Sequence, residues 1–342
     1  MWTIYYGHIF LFYFENSCVG SGVFTFFRVC FSHRPLKRID ISSSLLPVYH
    51  NDHVRGGIHG GFTDSSSPAL TKHMDLRQYF KRIGFAGSFD QPDLATLKLI
   101  HKLHVMSIPF ENLSIHCGEK ITMDLEDIFN KIVNNSRGGW CFENNFLFGW
   151  VLQKMGYDST MLGSRVFHSG LNDFGPTDNH LINKVVIDGK VYITDVSFGI
   201  GNQLWEPLEL VSGKDQIQEA GVFRVLDKGD MWVFEKTGRK NEVLNPAFPR
   251  GQDHFAEKCH SLQTDPMSLF TNKSICSIQT PTGFKALIGW TYSQVTFSPD
   301  KNVDIYDMRN ITKDELEKIL CEEFNVRLSN QLQPVDRKGD SL

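Results

Sequence analysis

The chain has 342 residues, more than one ordinary hydrophobic core supports, so two or three folding units are expected. Its 41% apolar and 22% charged residues are globular in balance and exclude a disordered or collagen-like chain. A formal net charge of -4, from 35 basic and 39 acidic side chains, lacks the basic footprint of sequence-independent phosphate binding, so nucleic acid is not expected as a partner.

The first 73 residues differ from the rest. Met1 to Phe31 is aromatic and apolar, but Glu15 and Asn16 interrupt it and no basic segment precedes it, so it makes a poor secretory signal. Neither half offers the run of about 18 apolar residues that a spanning helix needs. Arg28, Arg34, Lys37 and Arg38 on its far side resemble cytoplasmic flanking charge, which leaves a membrane anchor as the competing reading. Residues 39 to 73 are rich in Ser, Gly and His without a structural period and read as a linker. Residues 1-73 are therefore expected to be poorly ordered or weakly packed, and a chain starting at Met74 to serve as well as the whole.

From Asp75 the pattern becomes helical. Leu76, Tyr79, Phe80 and Ile83 recur at three- and four-residue spacing before Gly84, and Leu94, Leu97, Ile100 and Leu103 continue the stripe. Asp124 to Val133 opens with an acidic first turn, and Phe142 to Met155 is expected to bury Phe142, Phe146, Leu147 and Trp150 before Gly156 ends it. Strand-like runs follow at Thr160 to Phe167, Leu181 to Ile187, Lys190 to Val196, Val222 to Leu226 and Met231 to Lys236. The last part mixes short strands, Ser274 to Gln279 and Ala286 to Thr291, with a helix at Thr312 to Phe324. The seven cysteines contain no C-x-x-C pair, and their odd count and irregular spacing fit neither a zinc site nor a secreted disulfide framework, which favours a reducing compartment.

Arg137-Gly138-Gly139-Trp140-Cys141 stands directly before a strongly apolar helix. Two glycines allow a tight turn, leaving Cys141 in the first helical turn, where the positive end of the dipole favours thiolate. A buried packing cysteine is the alternative, and only partner residues decide between them. Those partners come from a hairpin: Asp188-Gly189 is a preferred type I′ turn between two β-branched runs. That loop places Ile187 opposite Lys190 and, further back, His180 opposite Ser197, so His180 and Asp195 are diagonal neighbours roughly 7 to 8 Å apart at Cα. A carboxylate on one imidazole nitrogen fixes the tautomer and leaves the other to take a thiol proton. His101, His104 and His116 lack metal-ligand spacing and read as core or surface histidines, so no metal site is expected. Gly199-Ile200-Gly201 lacks the third glycine and following helix of a dinucleotide fingerprint.

IPFENLSIHCG (108 to 118), RGGWCFENN (137 to 145), NHLINKVVIDGKVYITDVSFG (179 to 199), LWEPLELVSGKDQ (204 to 216) and LFTNKSICSIQTPTG (269 to 283) resemble arylamine N-acetyltransferases, especially vertebrate ones. The resemblance runs from Met74 to the C-terminus. It implies an α+β multidomain fold: a helical bundle over 74-156, a central β-barrel over 157-261 and a C-terminal α/β lid over 262-342, around a cysteine-protease-like Cys-His-Asp triad. Cys141, His180 and Asp195 take the triad positions, and acetyl passes from acetyl-CoA through a cysteine thioester to an arylamine or hydrazine nitrogen, or to an N-hydroxyarylamine oxygen. Phe110, Phe198, Ile200 and Asn202 match acceptor-shaping positions and bring no cation to draw carboxylate-bearing acceptors. Thr177, Ser268 and Ser341 match positions near CoA. A cytoplasmic, monomeric enzyme of xenobiotic metabolism, of the animal type, is implied.

Three departures stand out. Between Phe248 and Leu262 similar proteins have about twenty more residues, so an exposed barrel edge, or a local substitute covering it, is expected. Asn179 and Ser197 replace residues more usual beside the histidine and in the D-V/A-G-F-G motif. A cysteine hydrolase with the same triad logic, and a non-catalytic homologue destabilised by the deletion, stay open beside the transferase.

Overall fold

The computed structural model of the chain describes residues 74–168, 173–174, 178–229, 231–238, 247–249, 252–298 and 304–337, so the expectations for residues 1–73 lie outside it. The Asp75 carboxylate accepts the Arg77 N–H (2.9 Å), and α1 (Leu76–Ile83) buries Tyr79, Phe80 and Ile83 before Gly84 closes it at φ 71°. Asp93 caps α2 (Leu94–Ser107) through the Thr96 N–H (2.7 Å), and the buried face of α2 carries His101 and His104 beside Leu97 and Ile100. Helix α2 stops just ahead of Pro109, whose ring disfavours helical backbone in the residue before it. The chain then runs through β1 (Phe110–Glu111) and the one-turn α3 (Leu113–His116). The helix expected over 124–133 divides in two: α4 (Leu125–Phe129), capped by Asp124, widens into a π turn over Asn130–Asn134. Helix α5 (Cys141–Lys154) is buried around most of its circumference and ends at Gly156, φ 85°.

Strands β2 (Asp158–Ser164), β3 (Phe167–His168), β4 (Asp173–Phe174), β5 (His180–Ile187), β6 (Lys190–Thr194), β7 (Leu208–Glu209), β8 (Asp215–Gln218), β9 (Gly221–Asp227), β10 (Trp232–Gly238) and β11 (Ala247–Pro249) follow. They make an antiparallel sheet in the order β11-β2-β5-β6-β7, a separate β10-β9-β8 sheet and the β3-β4 pair. The expected closed barrel is thus not formed among the described residues. Side chains stand where a β7–β8 ladder would close it. The Gln216 amide accepts the Glu209 N–H and donates to the Glu209 carbonyl (both 2.8 Å), and Gln218 accepts from Trp205 and Glu206 and donates to the Glu206 carbonyl. These amides hold the two sheets a side chain's length apart.

The segment read as a plain bridge after Phe248 is a helix, α6 (Gln252–Thr264), with Phe255 and Cys259 buried one turn apart. Ahead of it β11 pairs with Leu162–Ser164 of β2, a local cover for that edge of the sheet. Helix α7 (Leu269–Asn272) leads into β12 (Ile275–Thr280), β13 (Gly283–Ile288), β14 (Thr291–Thr296), β15 (Ile305–Asn310) and α8 (Lys313–Phe324). The strand expected over 286–291 is broken at Gly289 (φ 53°), which turns β13 back into β14. Strand β1 joins this second sheet beside β12, and α8 covers it with Leu316, Ile319, Leu320 and Phe324. No helix among the described residues is long and apolar enough to cross a membrane.

A buried ion-pair network fixes the approach to α5. Arg137 donates to Glu111 (2.9 Å) and Ser114 (3.2 Å), the other Glu111 oxygen accepts the Leu113 N–H (2.7 Å), and Lys131 spans to Glu143 (2.8 Å). Backbone bonds then lock Gly139 against Pro109 and Glu111, and a Cβ on Gly138 would lie 2.2 Å from the Pro109 oxygen. Burial alone would raise the Glu111 pKa, but Lys131 and Arg137 outweigh it and hold the carboxyl below its usual range. Its stabilisation is therefore present above the unfolded value of about 4.3 and lost as pH falls through the lower folded value. Glu111→Gln is expected to destabilise the protein by about 3 kcal/mol at pH 7, by leaving Arg137 without its buried partner. Thermal unfolding followed downward from pH 7 should show the two chains converge only below about pH 4.

Candidate active site

Cys141 is the first residue of α5 and only 3% exposed, placed among the open N–H groups of the helix start. His180 opens β5, and Asp195 follows the last residue of β6. The hairpin has the expected register, with Ile187 opposite Lys190 and Asn183 opposite Thr194, and Asp188 (φ 50°) and Gly189 (φ 74°) supply the left-handed pair of a type I′ turn. Its ladder ends at Thr194 rather than Val196, because the Asp195 backbone turns to side chains: its N–H donates to His101 Nε2 (3.2 Å) and its carbonyl accepts from Gln203. His180 Nε2 nevertheless meets Asp195 Oδ2 at 2.6 Å. Nδ1 is then the ring nitrogen left for a thiol, and the Cys141 sulfur acts on His180 by raising its pKa.

The electrostatics of the pair follow from this geometry. Burial pulls the His180 pKa down, but the Asp195 carboxylate and then the Cys141 sulfur more than reverse it, so imidazolium is favoured. Burial would raise the Asp195 pKa, yet His180, the Asn145 amide (2.9 Å) and the Ser197 N–H (3.0 Å) hold it below the usual carboxylate range. Burial pushes the Cys117 thiol up to about 11, Cys259 up to about 12 and Cys276 well above its ordinary value.

Two supports have no counterpart in the sequence reading. Asn145 lies one helical turn beyond Cys141, and that four-residue spacing was the available signal. Its amide nitrogen donates to Asp195 and to the Leu181 carbonyl (2.8 Å), and its oxygen accepts the Val196 N–H (2.9 Å). His101, expected to be a core or surface histidine, is fully buried against the Asp195 backbone. It accepts the Asp195 N–H and, through Nδ1, donates to the Trp205 carbonyl (3.0 Å), and burial holds it neutral, with a pKa lowered to about 4. His104 bonds Tyr79 (2.8 Å), and His116 donates to the Phe270 carbonyl (2.9 Å), so both are structural. No group of three His, Cys, Asp or Glu side chains among the described residues could hold a metal ion.

Aromatic rings gather on the side of His180. Phe198 packs edge-on against His180 (5.2 Å between centroids), and Gly199, φ 86°, brings its Cα so near Phe110 that a Cβ would lie 3.1 Å from the ring. Phe270, also missed from sequence, lies 5.1 Å from Trp140 and 6.4 Å from Phe110. Ile200 and Asn202 are buried in the short turn that follows Gly199. Ile200 has φ 46°, a conformation that costs a β-branched residue on the order of 1–3 kcal/mol. Ser268 caps α7 by accepting the Phe270 N–H (3.2 Å), whereas Thr177 and Ser341 lie outside the described residues.

A family model described as N-acetyltransferase matches residues 93–333. The chain is 46% identical over 286 residues to the arylamine N-acetyltransferase, pineal gland isozyme NAT-10, of Gallus gallus, covering 78% of this chain and 99% of that one. The chain belongs to the arylamine N-acetyltransferase family. Among solved structures, the Nocardia farcinica arylamine N-acetyltransferase superposes with a TM-score of 0.65 at 31% identity, over 75% of this chain and 90% of that one. The Mycobacterium marinum enzyme in complex with CoA gives 0.64 at 25%, over 73% and 92%.

The two substitutions noted in this arylamine N-acetyltransferase have local uses. Ser197 Oγ accepts from Asn144 (3.0 Å), and Asn179 accepts the Val166 N–H (2.8 Å). Removing the Asn145 amide would free the Asp195 carboxylate and the Leu181 and Val196 backbone together. Asn145→Ala is expected to lower kcat by about a hundredfold, the cost of a misplacement near 1 Å. Steady-state acetyl transfer, normalised to folded protein by circular dichroism, checks it.

Proposed function

We propose that the chain catalyses ping-pong acetyl transfer from acetyl-CoA to arylamines and hydrazines through a Cys141 thioester. The observation that supports this reading is the 2.6 Å contact of His180 Nε2 with the Asp195 carboxylate, with the Cys141 sulfur among the groups that raise the His180 pKa, in a chain of this family. Cys141 gives its proton to His180 Nδ1, and the sulfur attacks the thioester carbonyl carbon. The bond to CoA sulfur breaks, and CoA leaves as the thiol with the proton from His180. The amine nitrogen then attacks the Cys141 thioester and passes a proton to His180, and the cysteine leaves as thiolate beside imidazolium, the pair from which the sulfur first attacked. Asp195 stays charged throughout, fixing the tautomer and balancing the imidazolium.

Phe110, Phe198, Ile200 and Asn202, with Phe270, form the acceptor wall in this reading. CoA approaches past Ser268, whose hydroxyl accepts the Phe270 N–H and keeps its own proton to donate; Thr177 and Ser341 complete that set. The CoA held by the Mycobacterium marinum relative supports CoA as the carrier. We keep 74-156, 157-261 and 262-342 as the three parts, with a shared cleft between the first two. The five described cysteines are all free, which supports a cytoplasmic protein.

Incubation with acetyl-CoA in the absence of amine should add one acetyl group, on Cys141, and Cys141→Ser should abolish it. Peptide mass mapping that finds the group on Cys117 or Cys276 would overturn the assignment. Asp195→Asn is expected to cut turnover by up to about 10⁴-fold, the loss seen when a triad aspartate no longer holds the tautomer. Initial rates at several acetyl-CoA and amine concentrations check it, and should give parallel double-reciprocal lines for the unaltered chain.

A further inference from the structure

The segment from Asp195 to Trp205 holds a conformation that one of its own residues resists. Ile200 sits in the left-handed region at φ 46°, so groups outside its own backbone must keep it there. Two buried glutamines supply the anchors. Gln203, 3% exposed, accepts the N–H groups of Phe198 (2.8 Å) and Gly199 (3.0 Å) on Oε1, and from Nε2 donates to the carbonyls of Asp195 and Leu204. Its amide is fully used inside the loop. Gln279 of β12, 4% exposed, donates from Nε2 to the carbonyl of Ile200 itself (2.8 Å) and accepts the Trp205 indole N–H on its oxygen (2.9 Å). Lys236 adds a bond to the Gly201 carbonyl (2.6 Å). The strained residue therefore lies between anchors, and its neighbours Phe198 and Gly199 face His180 and Phe110.

We propose that Gln203 and Gln279 are positioning residues that set acceptor choice, by holding 198–202 in its strained form against the acceptor wall. The proposal rests on the catalytic and acceptor-wall reading above. Apart from the Trp205 indole, the glutamines bond only backbone groups of this loop, so their influence on the acceptor is carried by where they place Phe198 and Ile200. Without them Ile200 relaxes toward negative φ, the two side chains swing with the backbone, and the width of the pocket changes. Gln279 bonds no atom of Cys141, His180 or Asp195, so its removal separates acceptor choice from the triad. Gln203 also bonds the Asp195 carbonyl and is the less clean of the two.

The test uses the full chain with aniline and the wider 2-naphthylamine as probes, each kcat/KM being expressed per site that takes acetyl from acetyl-CoA. In Gln279→Leu, Cys141 should acetylate at close to the unaltered rate, while the ratio of the two kcat/KM values shifts by about tenfold, within the range that small changes in an apolar pocket produce. Gln203→Glu keeps an acceptor for Phe198 and Gly199 but, once ionised, turns a carboxylate toward two carbonyls. Its acceptor ratio should return toward the unaltered value as pH falls and the carboxyl regains a proton. Should Gln279→Leu fail to fold, this pH series decides alone. Glutamines that only stabilise the fold would change the number of acetylated sites and leave the per-site ratio and its pH dependence untouched, which would overturn the proposal. Failure of the unaltered chain to acetylate Cys141 would instead remove the catalytic reading beneath it.

Discussion

The bond on which the rest depends is the buried pair between Arg137 and Glu111. It joins a segment before α5 to one that follows α2, and both have other duties: Glu111 is in β1, at the margin of the second sheet, and Arg137 begins the turn that ends at Cys141. Once the pair forms, Gly139 is held between Pro109 and Glu111 and the direction of α5 is set. Breaking either partner leaves a charge in a site where water cannot reach it, so the turn has few alternatives. Lys131 and Glu143 extend the same constraint into the first turn of the helix, where the Glu143 carboxylate also accepts the Trp140 N–H (3.2 Å).

A second set of bonds converts that fixed helix into a reactive arrangement. Asn145 reaches from α5 to both strands of the β5–β6 hairpin, so the sulfur and the aspartate are positioned from a single helix turn rather than by independent elements. From the other side His101 takes the Asp195 N–H and the Trp205 carbonyl, tying the two ends of the loop together. Each support is a neutral amide or imidazole with its hydrogen-bonding groups engaged. The charged groups that these supports hold in place are His180 and Asp195.

What was legible in the sequence was local. Asp188-Gly189 between two β-branched runs permits essentially one register, so the meeting of His180 and Asp195 could be anticipated across fifteen residues. The start of α5 was equally plain, because two glycines precede an apolar helix. His101 meets Asp195 across 94 residues and Gln279 meets Ile200 across 79, and no spacing rule selects those partners. Helix α6 offers just two buried side chains, too few to make a period. Closure of a barrel depends on which non-adjacent strands exchange backbone bonds, and the glutamines of β8 look, in sequence, like the solvent face of an ordinary strand.

Those glutamines give the smaller sheet a degree of independence. A backbone ladder joins two strands along their whole length, whereas the seam at Gln216 and Gln218 is made by side-chain amides, to which Lys236 adds a bond from β10 to the Gly201 carbonyl. Strands β8 to β10 therefore form a cooperative unit of their own, whose amide protons should exchange as a block before those of the β5–β6 hairpin. The Gln218 bonds of that seam fall at Trp205 and Glu206, directly after the loop that Gln203 closes. The seam of the smaller sheet thus meets the chain at the residue whose indole bonds Gln279, the glutamine that also holds the Ile200 carbonyl.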